Sequence, residues 1–307
     1  MKKAFITGAN GFLGRYLINF LKKKKYNIIF PGSKECNLVN DKSLLNYGFK
    51  KKYIFDEIYH LAAWTQAGDF CLKYPGDQWI INQKINTNVL YWWKNYQPQA
   101  KLIFIGTSCA YAENSNYKEI NYMAGEPTPS LYTYAMTKRM LLQGAISMQN
   151  QFGMKWLCLV PSTLYGTNYH QDHRQMHFIF DLVKKIVDGK YNKTDVILWG
   201  DGNQKREIIN VEDFIYTLFN LRKKNNEIIN IGAGESFSIK YFAQIICKIV
   251  GFSHNKIIYD KAKYVGARNK KLDITKVSGY LKNYTNELIN IEDGLREVVN
   301  WYIKKNY

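Results

Sequence analysis

The run Thr7-Gly8-Ala9-Asn10-Gly11-Phe12-Leu13-Gly14 constrains this chain more than any other stretch. It follows a short apolar run, residues 4–7, and opens an amphipathic segment over residues 11–23. Glycines at a strand end permit a tight turn and let the main chain approach a pyrophosphate closely. The helix that follows presents unpaired N–H groups and the positive end of its dipole to the same phosphates. The spacing is G-x-x-G-x-x-G, not the G-x-G-x-x-G of conventional dehydrogenases. The strand before it and the helix after it nevertheless predict a dinucleotide site built from Gly8, Asn10, Gly11, Phe12, Leu13 and Gly14.

An NAD site usually carries an acid near the end of the second strand, where it holds the ribose 2′-hydroxyl. Here the second apolar run, residues 27–30, leads into Pro31-Gly32-Ser33-Lys34. A hydroxyl and an ammonium suit a 2′-phosphate, so NADP (NADPH) is the expected cofactor, with Ser33 and Lys34 as its contacts. Glu35 comes next, and NAD with Glu35 as the acid is the alternative.

Further apolar runs at residues 57–63, 102–107 and 156–160 alternate with helical stretches at 82–96 and 134–152. Short β-rich runs separated by amphipathic helices predict an α/β fold with a Rossmann-like, doubly wound parallel sheet. Beyond Pro161 the alternation weakens. Strands are expected at 196–199, 207–211, 228–231 and 256–259, and helices at 178–188, 211–222, 238–250 and 291–304. The expected organisation is a dinucleotide-binding domain over 1–160, with returning segments near 206–232. A smaller C-terminal α/β substrate domain covers 161–307, and a ligand is expected in the cleft between the two.

Tyr134-Ala135-Met136-Thr137-Lys138 places a phenol and an ammonium four residues apart on one helix face. An ammonium beside a phenol is expected to lower its pKa, making Tyr134 a general acid/base and leaving Lys138 to hydrogen-bond the nicotinamide ribose. Thr107-Ser108-Cys109, at the end of an apolar run, adds hydroxyls and a thiol where a parallel sheet places its reacting groups.

Composition narrows the classes. The 43 Lys and Arg against 25 Asp and Glu give a formal charge of +18, which attracts anions, nucleic acid among them. The basic residues are spread in short runs such as Lys22–Lys25 and Lys50–Lys52, as a general lysine bias would spread them. Cys36, Cys71, Cys109, Cys158 and Cys247 are scattered without C-x-x-C spacing, which implies reduced thiols and no metal site. No apolar run reaches the ~20 residues of a membrane span. No leader-like stretch precedes residue 4, so a cytoplasmic location is expected.

Nearly the whole chain resembles the extended short-chain dehydrogenase/reductases, and within them the GDP-L-fucose synthases. The resemblance is carried by Gly8 to Gly14, His60-Leu61-Ala62-Ala63, Thr107-Ser108-Cys109-Ala110-Tyr111 and Tyr134 to Lys138. It continues through Pro161-Ser162-Thr163-Leu164-Tyr165-Gly166, His177, Trp199-Gly200-Asp201-Gly202 and Lys205-Arg206-Glu207. It implies reduction of a 4-keto nucleotide-diphosphate sugar, GDP-sugar favoured, with C3/C5 epimerisation. Thr107 would then bind the C4 oxygen that Tyr134 protonates, with Ser108 beside them, and Cys109 and His177 would shuttle protons at C3 and C5. Cys109 as a small packing residue, and His170 or His173 in place of His177, are the competing readings. The resemblance also implies cofactor contacts from Asn37, Leu38, Leu61, Ala62, Ala63, Pro161, Thr163, Leu164 and His177. Trp199, Arg206 and Arg268 would contact substrate, and the helices at 82–96 and 134–152 would form a homodimer.

Departures from the pattern bear on the substrate. Ser108 and Cys109 stand where 4,6-dehydratases carry Asp-Glu, which argues against dehydration. Ala112 replaces a proline, the stretch 112–122 differs, and Trp64-Thr65-Gln66-Ala67-Gly68-Asp69 has no close counterpart in the synthases. A 4-ketoreductase without epimerisation is therefore the near alternative. A non-catalytic or RNA-binding member of the fold is the alternative of a different class, opposed by the complete Thr107, Tyr134 and Lys138 set.

Overall fold

In the computed structural model, residues 1–48, 53–172, 174–262 and 268–307 are described. His173 and the Lys50–Lys52 run lie outside them. The strands, in chain order, are β1 (Lys3–Thr7), β2 (Asn27–Ile29), β3 (Glu57–His60), β4 (Lys101–Ile105), β5 (Trp156–Pro161), β6 (Thr163–Tyr165), β7 (Val196–Trp199), β8 (Lys205–Arg206), β9 (Ile208–Asn210), β10 (Glu227–Ile231), β11 (Phe237–Ser238), β12 (Ile257–Asp260) and β13 (Asn269–Lys270). The helices are α1 (Phe12–Lys23), α2 (Phe70–Lys73), α3 (Pro75–Tyr96), α4 (Tyr132–Phe152), α5 (Phe178–Asn192), α6 (Val211–Leu221), α7 (Ile239–Val250), α8 (Thr275–Tyr280) and α9 (Ile291–Asn306).

Two compact units emerge. The first comprises Met1–Pro161 and Ile215–Ile231, so the returning segment is narrower than the stretch near 206–232 expected from sequence. Its six-stranded sheet runs β10-β5-β4-β3-β1-β2, and every pairing is parallel. β3, β4 and β5 are buried almost throughout, as strands covered on both faces require. Phe5 in β1 packs against Trp92 of α3 with ring centroids 4.9 Å apart. Trp92 and Trp93 are both fully enclosed.

Two strands end sooner than their apolar runs. β3 stops at His60 because the amides of Leu61 and Ala62 turn away to the Thr7 hydroxyl, each at 3.2 Å. The last ladder bond beside β4 is Gly106 N–H to Leu159 O, at 2.8 Å. Helix α3 starts seven residues before the expected position. Its opening turn, Pro75-Gly76-Asp77, is polar but has proline at N1 and an acid in the first turn, both favourable there.

The second unit comprises Ser162–Phe214 and Gly232–Tyr307. β6 pairs with β9, β7 with β12, and β8 lies between β11 and β13. Helices α5, α7 and α9 pack on one another, burying Ile186, Phe242, Ile246 and Val299 completely. Glu207, only 3 % exposed, accepts hydrogen bonds from the amides of Gly234 and Leu272, both at 2.8 Å. Burial lifts its carboxyl to about 7 against the opposing pull of those amides.

Candidate active site

The glycine loop forms a cradle. Gly8 adopts φ +71°, and a side chain there would put Cβ 2.7 Å from the Ala62 nitrogen. Gly11 caps α1 without any side-chain cap, so no side chain stands between the helix N-terminus and a ligand. A Cβ at Gly14 would collide with the carbonyl oxygens of Gly8 and Ala9, so only glycine lets the helix sit this close. These features fit a dinucleotide pyrophosphate.

The loop after β2 meets this cradle. A Cβ at Gly32 would lie 3.1 Å from the Asn10 amide nitrogen. Ser33 and Lys34 stay exposed beside it. Glu35 instead turns back and accepts the Gly32 N–H at 2.9 Å, so its carboxylate is engaged in the turn. Asn37 accepts the Val39 amide at 3.1 Å, and the Leu38 carbonyl accepts from Asn88 at 2.8 Å. These bonds fix the main chain of both residues.

A buried polar chain links the cradle to the catalytic helix. The Thr7 hydroxyl accepts from Leu61 and Ala62, so its proton goes to His60 Nδ1, 2.8 Å away. His60 Nε2 then donates to Asn86 Oδ1 at 3.2 Å, and Asn86 Nδ2 donates to the Thr137 carbonyl at 3.2 Å. This tautomer follows from the hydrogen-bond network. Burial, with the Lys138 charge adding to it, holds His60 at about 4, hence neutral. Four elements, β1, β3, α3 and α4, are thereby tied by uncharged bonds.

Thr107 caps a short 3-10 turn, Ser108–Ala110, its hydroxyl accepting the Cys109 amide at 3.2 Å. The same hydroxyl lies near enough to the Tyr134 phenol to ease its ionisation, while Cys109 and Cys71 lie close enough to oppose it. Lys138 Nζ lies 5.9 Å from the centroid of the Tyr134 ring. Cys109 and Ser108 are partly exposed. Arg139, next along α4, binds the carbonyls of Ala110, Ala124 and Gly125 and holds the turn in place.

The expected lowering of the Tyr134 phenol is not what the structure shows. Tyr134 remains partly open to solvent, yet desolvation dominates and raises its pKa, with Cys109 and Cys71 next. Burial also depresses Lys138, to about 8. The Lys138 ammonium, 5.9 Å from the ring centroid, does not outweigh the desolvation of the phenol.

The segment after Ala63 is held by two buried amides of α3. Asn82 accepts the Trp64 N–H at 2.8 Å and donates to the Trp64 carbonyl at 3.0 Å. Gln78 donates to the Thr65 hydroxyl at 3.3 Å. The Trp64 indole packs edge-on against Phe70, centroids 4.7 Å apart.

Pro161 closes β5, and Thr163 and Leu164 lie in β6. In the second unit, His177 caps α5 with no cap bond from its own side chain. The residue keeps over a third of its surface open. Desolvation, then His170 and Lys270, nevertheless hold its imidazole below the ordinary value, toward neutral. Trp199 is 58 % exposed at the end of β7. Arg206 pairs in register with Lys270 across β8 and β13, and the Lys205 amide donates to the Arg268 carbonyl at 2.8 Å. The two predicted arginines therefore share one small cationic ribbon.

Sequence reasoning missed Asn86 and Tyr122, and read Thr7 and His60 only as parts of motifs. Their signal was present as polar residues within apolar or helical runs. A cavity of about 420 Å³ opens elsewhere, flanked by Lys2, Glu57, Lys101 and Arg222. It lies at the N-terminal edge of the sheet, away from the glycine loop. Among the described residues no helix is long and apolar enough to cross a membrane.

Known proteins resemble this chain over nearly its whole length. The chain is 29% identical to GDP-L-colitose synthase of Yersinia pseudotuberculosis, over 99% of this chain and 98% of that one. Its fold matches that of a GDP-6-OMe-4-keto-L-xylo-heptose reductase from C. jejuni with a TM-score of 0.87, at 24% identity, covering 99% and 98% of the two chains. It also matches a GDP-L-fucose synthetase from Naegleria fowleri bound to NADP, with a TM-score of 0.85, at 24% identity and 99% and 93% coverage. Residues 4–232, from β1 through β10, match the model of the NAD dependent epimerase/dehydratase family, and the chain belongs to that family.

Proposed function

We propose that the protein is an NADPH-dependent reductase of a 4-keto nucleotide-sugar, with GDP as the favoured nucleotide, and that it also epimerises C3 and C5. The observation that carries this reading is the Thr107 hydroxyl close by the Tyr134 phenol, with Lys138 beside them, in the same unit as the glycine cradle. NADPH, when bound, supplies the hydride for C4. Tyr134, its phenol held high by burial, stays protonated at neutral pH and donates its proton to the C4 oxygen. Thr107 fixes that oxygen, and Lys138 orients the ribose. Before reduction, Cys109 and His177 move protons at C3 and C5, which the neighbouring 4-keto group acidifies; the enolate is stabilised by Tyr134 and Thr107. Arg206, with Arg268, grips the diphosphate, and Trp199 contacts the nucleotide end. Exposed Ser33 and Lys34, with Glu35 engaged in its turn, support NADP over NAD.

Reduction without epimerisation is the second reading. It is favoured by the aromatic Trp64 segment and by the likeness to a heptose reductase. Solvent deuterium separates the two. With GDP-4-keto-6-deoxymannose and no NADPH, exchange at C3 or C5 that Cys109→Ser abolishes supports epimerisation; no exchange leaves reduction alone. The absence of any NADPH oxidation with 4-keto nucleotide-sugars would sink both.

The exposed Trp79, Ile80 and Tyr91 of α3 and Phe152 of α4 support a homodimer through these helices. Sedimentation of the protein and of Tyr91→Glu tests it: the variant should be monomeric. A cytoplasmic location, where NADPH is supplied, completes the reading.

A further inference from the structure

Every polar atom of Thr107 has a partner, and one of them is unexpected. Its carbonyl accepts the Ala110 amide at 3.1 Å. Its hydroxyl accepts the Cys109 amide at 3.2 Å and lies near the Tyr134 phenol. Its own N–H comes one residue after the last ladder bond beside β4, where a backbone donor has no strand to meet. It donates instead to the phenol oxygen of Tyr122, at 3.1 Å. A buried N–H without such a partner is costly, so this contact decides where Thr107 rests.

The surroundings are shaped for this contact. Tyr122 is completely buried. Its ring meets Tyr111 edge-on, centroids 5.3 Å apart at 90°. A Cβ at Gly106 would lie 2.8 Å from the Tyr122 oxygen, so the glycine makes room for the phenol. Tyr122 follows a 3-10 turn, Glu119–Asn121, and Glu119 accepts the Asn230 amide at 2.9 Å. Asn230, also fully buried, accepts the Tyr111 hydroxyl at 2.6 Å and donates to the Tyr117 carbonyl at 2.8 Å. The edge strand β10 thus anchors the segment that carries Tyr122.

We propose that Tyr122 is a positioning residue for the reduction: by accepting the Thr107 amide it sets the Thr107 hydroxyl against the Tyr134 phenol. This rests on the reductase reading above. The test is a double-mutant cycle with Tyr122→Phe and Thr107→Ala, assayed as NADPH oxidation on GDP-4-keto-6-deoxymannose. Tyr122→Phe keeps the ring and should melt within a few degrees of the wild type. It should lower kcat about 10-fold, with KM for NADPH unchanged, and lower it less than about 2-fold in the Thr107→Ala background. Equal losses in both backgrounds, or no loss in either, overturn the proposal while the wild-type rate upholds the reductase. A wild type inert toward every 4-keto nucleotide-sugar removes the reductase reading and this role with it. One measurement needs no substrate. The peptide spanning Thr107 should exchange its amide hydrogen about 10-fold faster in Tyr122→Phe, and unchanged protection shows that Tyr122 does not hold that amide.

Discussion

The two units hold their functional side chains in opposite ways. In the first, Thr107, Tyr134 and Lys138 sit on a lattice of buried, uncharged bonds that runs from Thr7 through His60 and Asn86 to α4. In the second, Arg206, itself partly exposed, lies in a ribbon of two-residue strands that the exposed Arg268 adjoins, beside the buried carboxylate Glu207. A reacting centre must be placed to fractions of an ångström before the substrate arrives. A cationic strip that grips a flexible diphosphate works at longer range and tolerates motion. Among the buried groups with shifted pKa, the imidazole of His60 in the first unit and the carboxyl of Glu207 in the second are displaced in opposite directions.

The sharpest break of this contrast comes from Tyr134→Phe, which should lower kcat about 10³-fold while NADPH affinity and melting temperature hold. A variant within tenfold of wild type would remove Tyr134 from the chemistry. Next come the buried groups. His60 falls from 6.5 to about 4 in the folded chain, so the unfolded chain takes the proton first as pH drops. Its stabilising contribution is complete above pH 6.5 and is lost between 6.5 and 4, by up to about 3 kcal/mol. Glu207 rises from 4.5 to about 7, so the folded chain takes the proton first, and its contribution grows as pH falls from 7 to 4.5. Urea unfolding across this range should therefore lose opposite slopes in His60→Gln and Glu207→Gln; unchanged slopes in both would refute the burial argument.

Arg206→Ala should raise KM for the nucleotide-sugar about 30-fold, roughly the ~2 kcal/mol of a charged hydrogen bond, and leave kcat within threefold. Arg206→Lys should fall between, because an ammonium lacks the guanidinium fork. A large kcat loss would mean that the ribbon belongs to the reacting centre after all. The smallest effect is expected at Lys34→Ala: about a fivefold rise in KM for NADPH and none for NADH, the size of an exposed charge pair. Equal rises for both cofactors would mean that Lys34 does not read the 2′-phosphate.

Much of this was legible in the sequence because it is periodic or local. The alternation of apolar runs and helices located the parallel sheet, and the glycine spacing located the cradle. The boundaries were not legible where a side chain takes over from a strand, as Thr7 does for Leu61 and Ala62 and Tyr122 does for Thr107. Those substitutions join residues 15 to 55 positions apart, and no window along the chain reveals them. The phenol's pKa was misjudged for a similar reason. The Tyr-Lys spacing is local, whereas the burial that outweighs it comes from the tertiary fold, which also brings Cys71 and Cys109 close to the phenol.

The amide of Asn82 that brackets Trp64 has an evolutionary corollary. Because it grips only the main chain, the path of that segment is fixed independently of which side chains it displays. The Trp64 side chain can then be exchanged for one of different shape at the cost of its Phe70 contact, while the main chain beneath it stays put. Side-chain variety at that position can arise without renegotiating the fold.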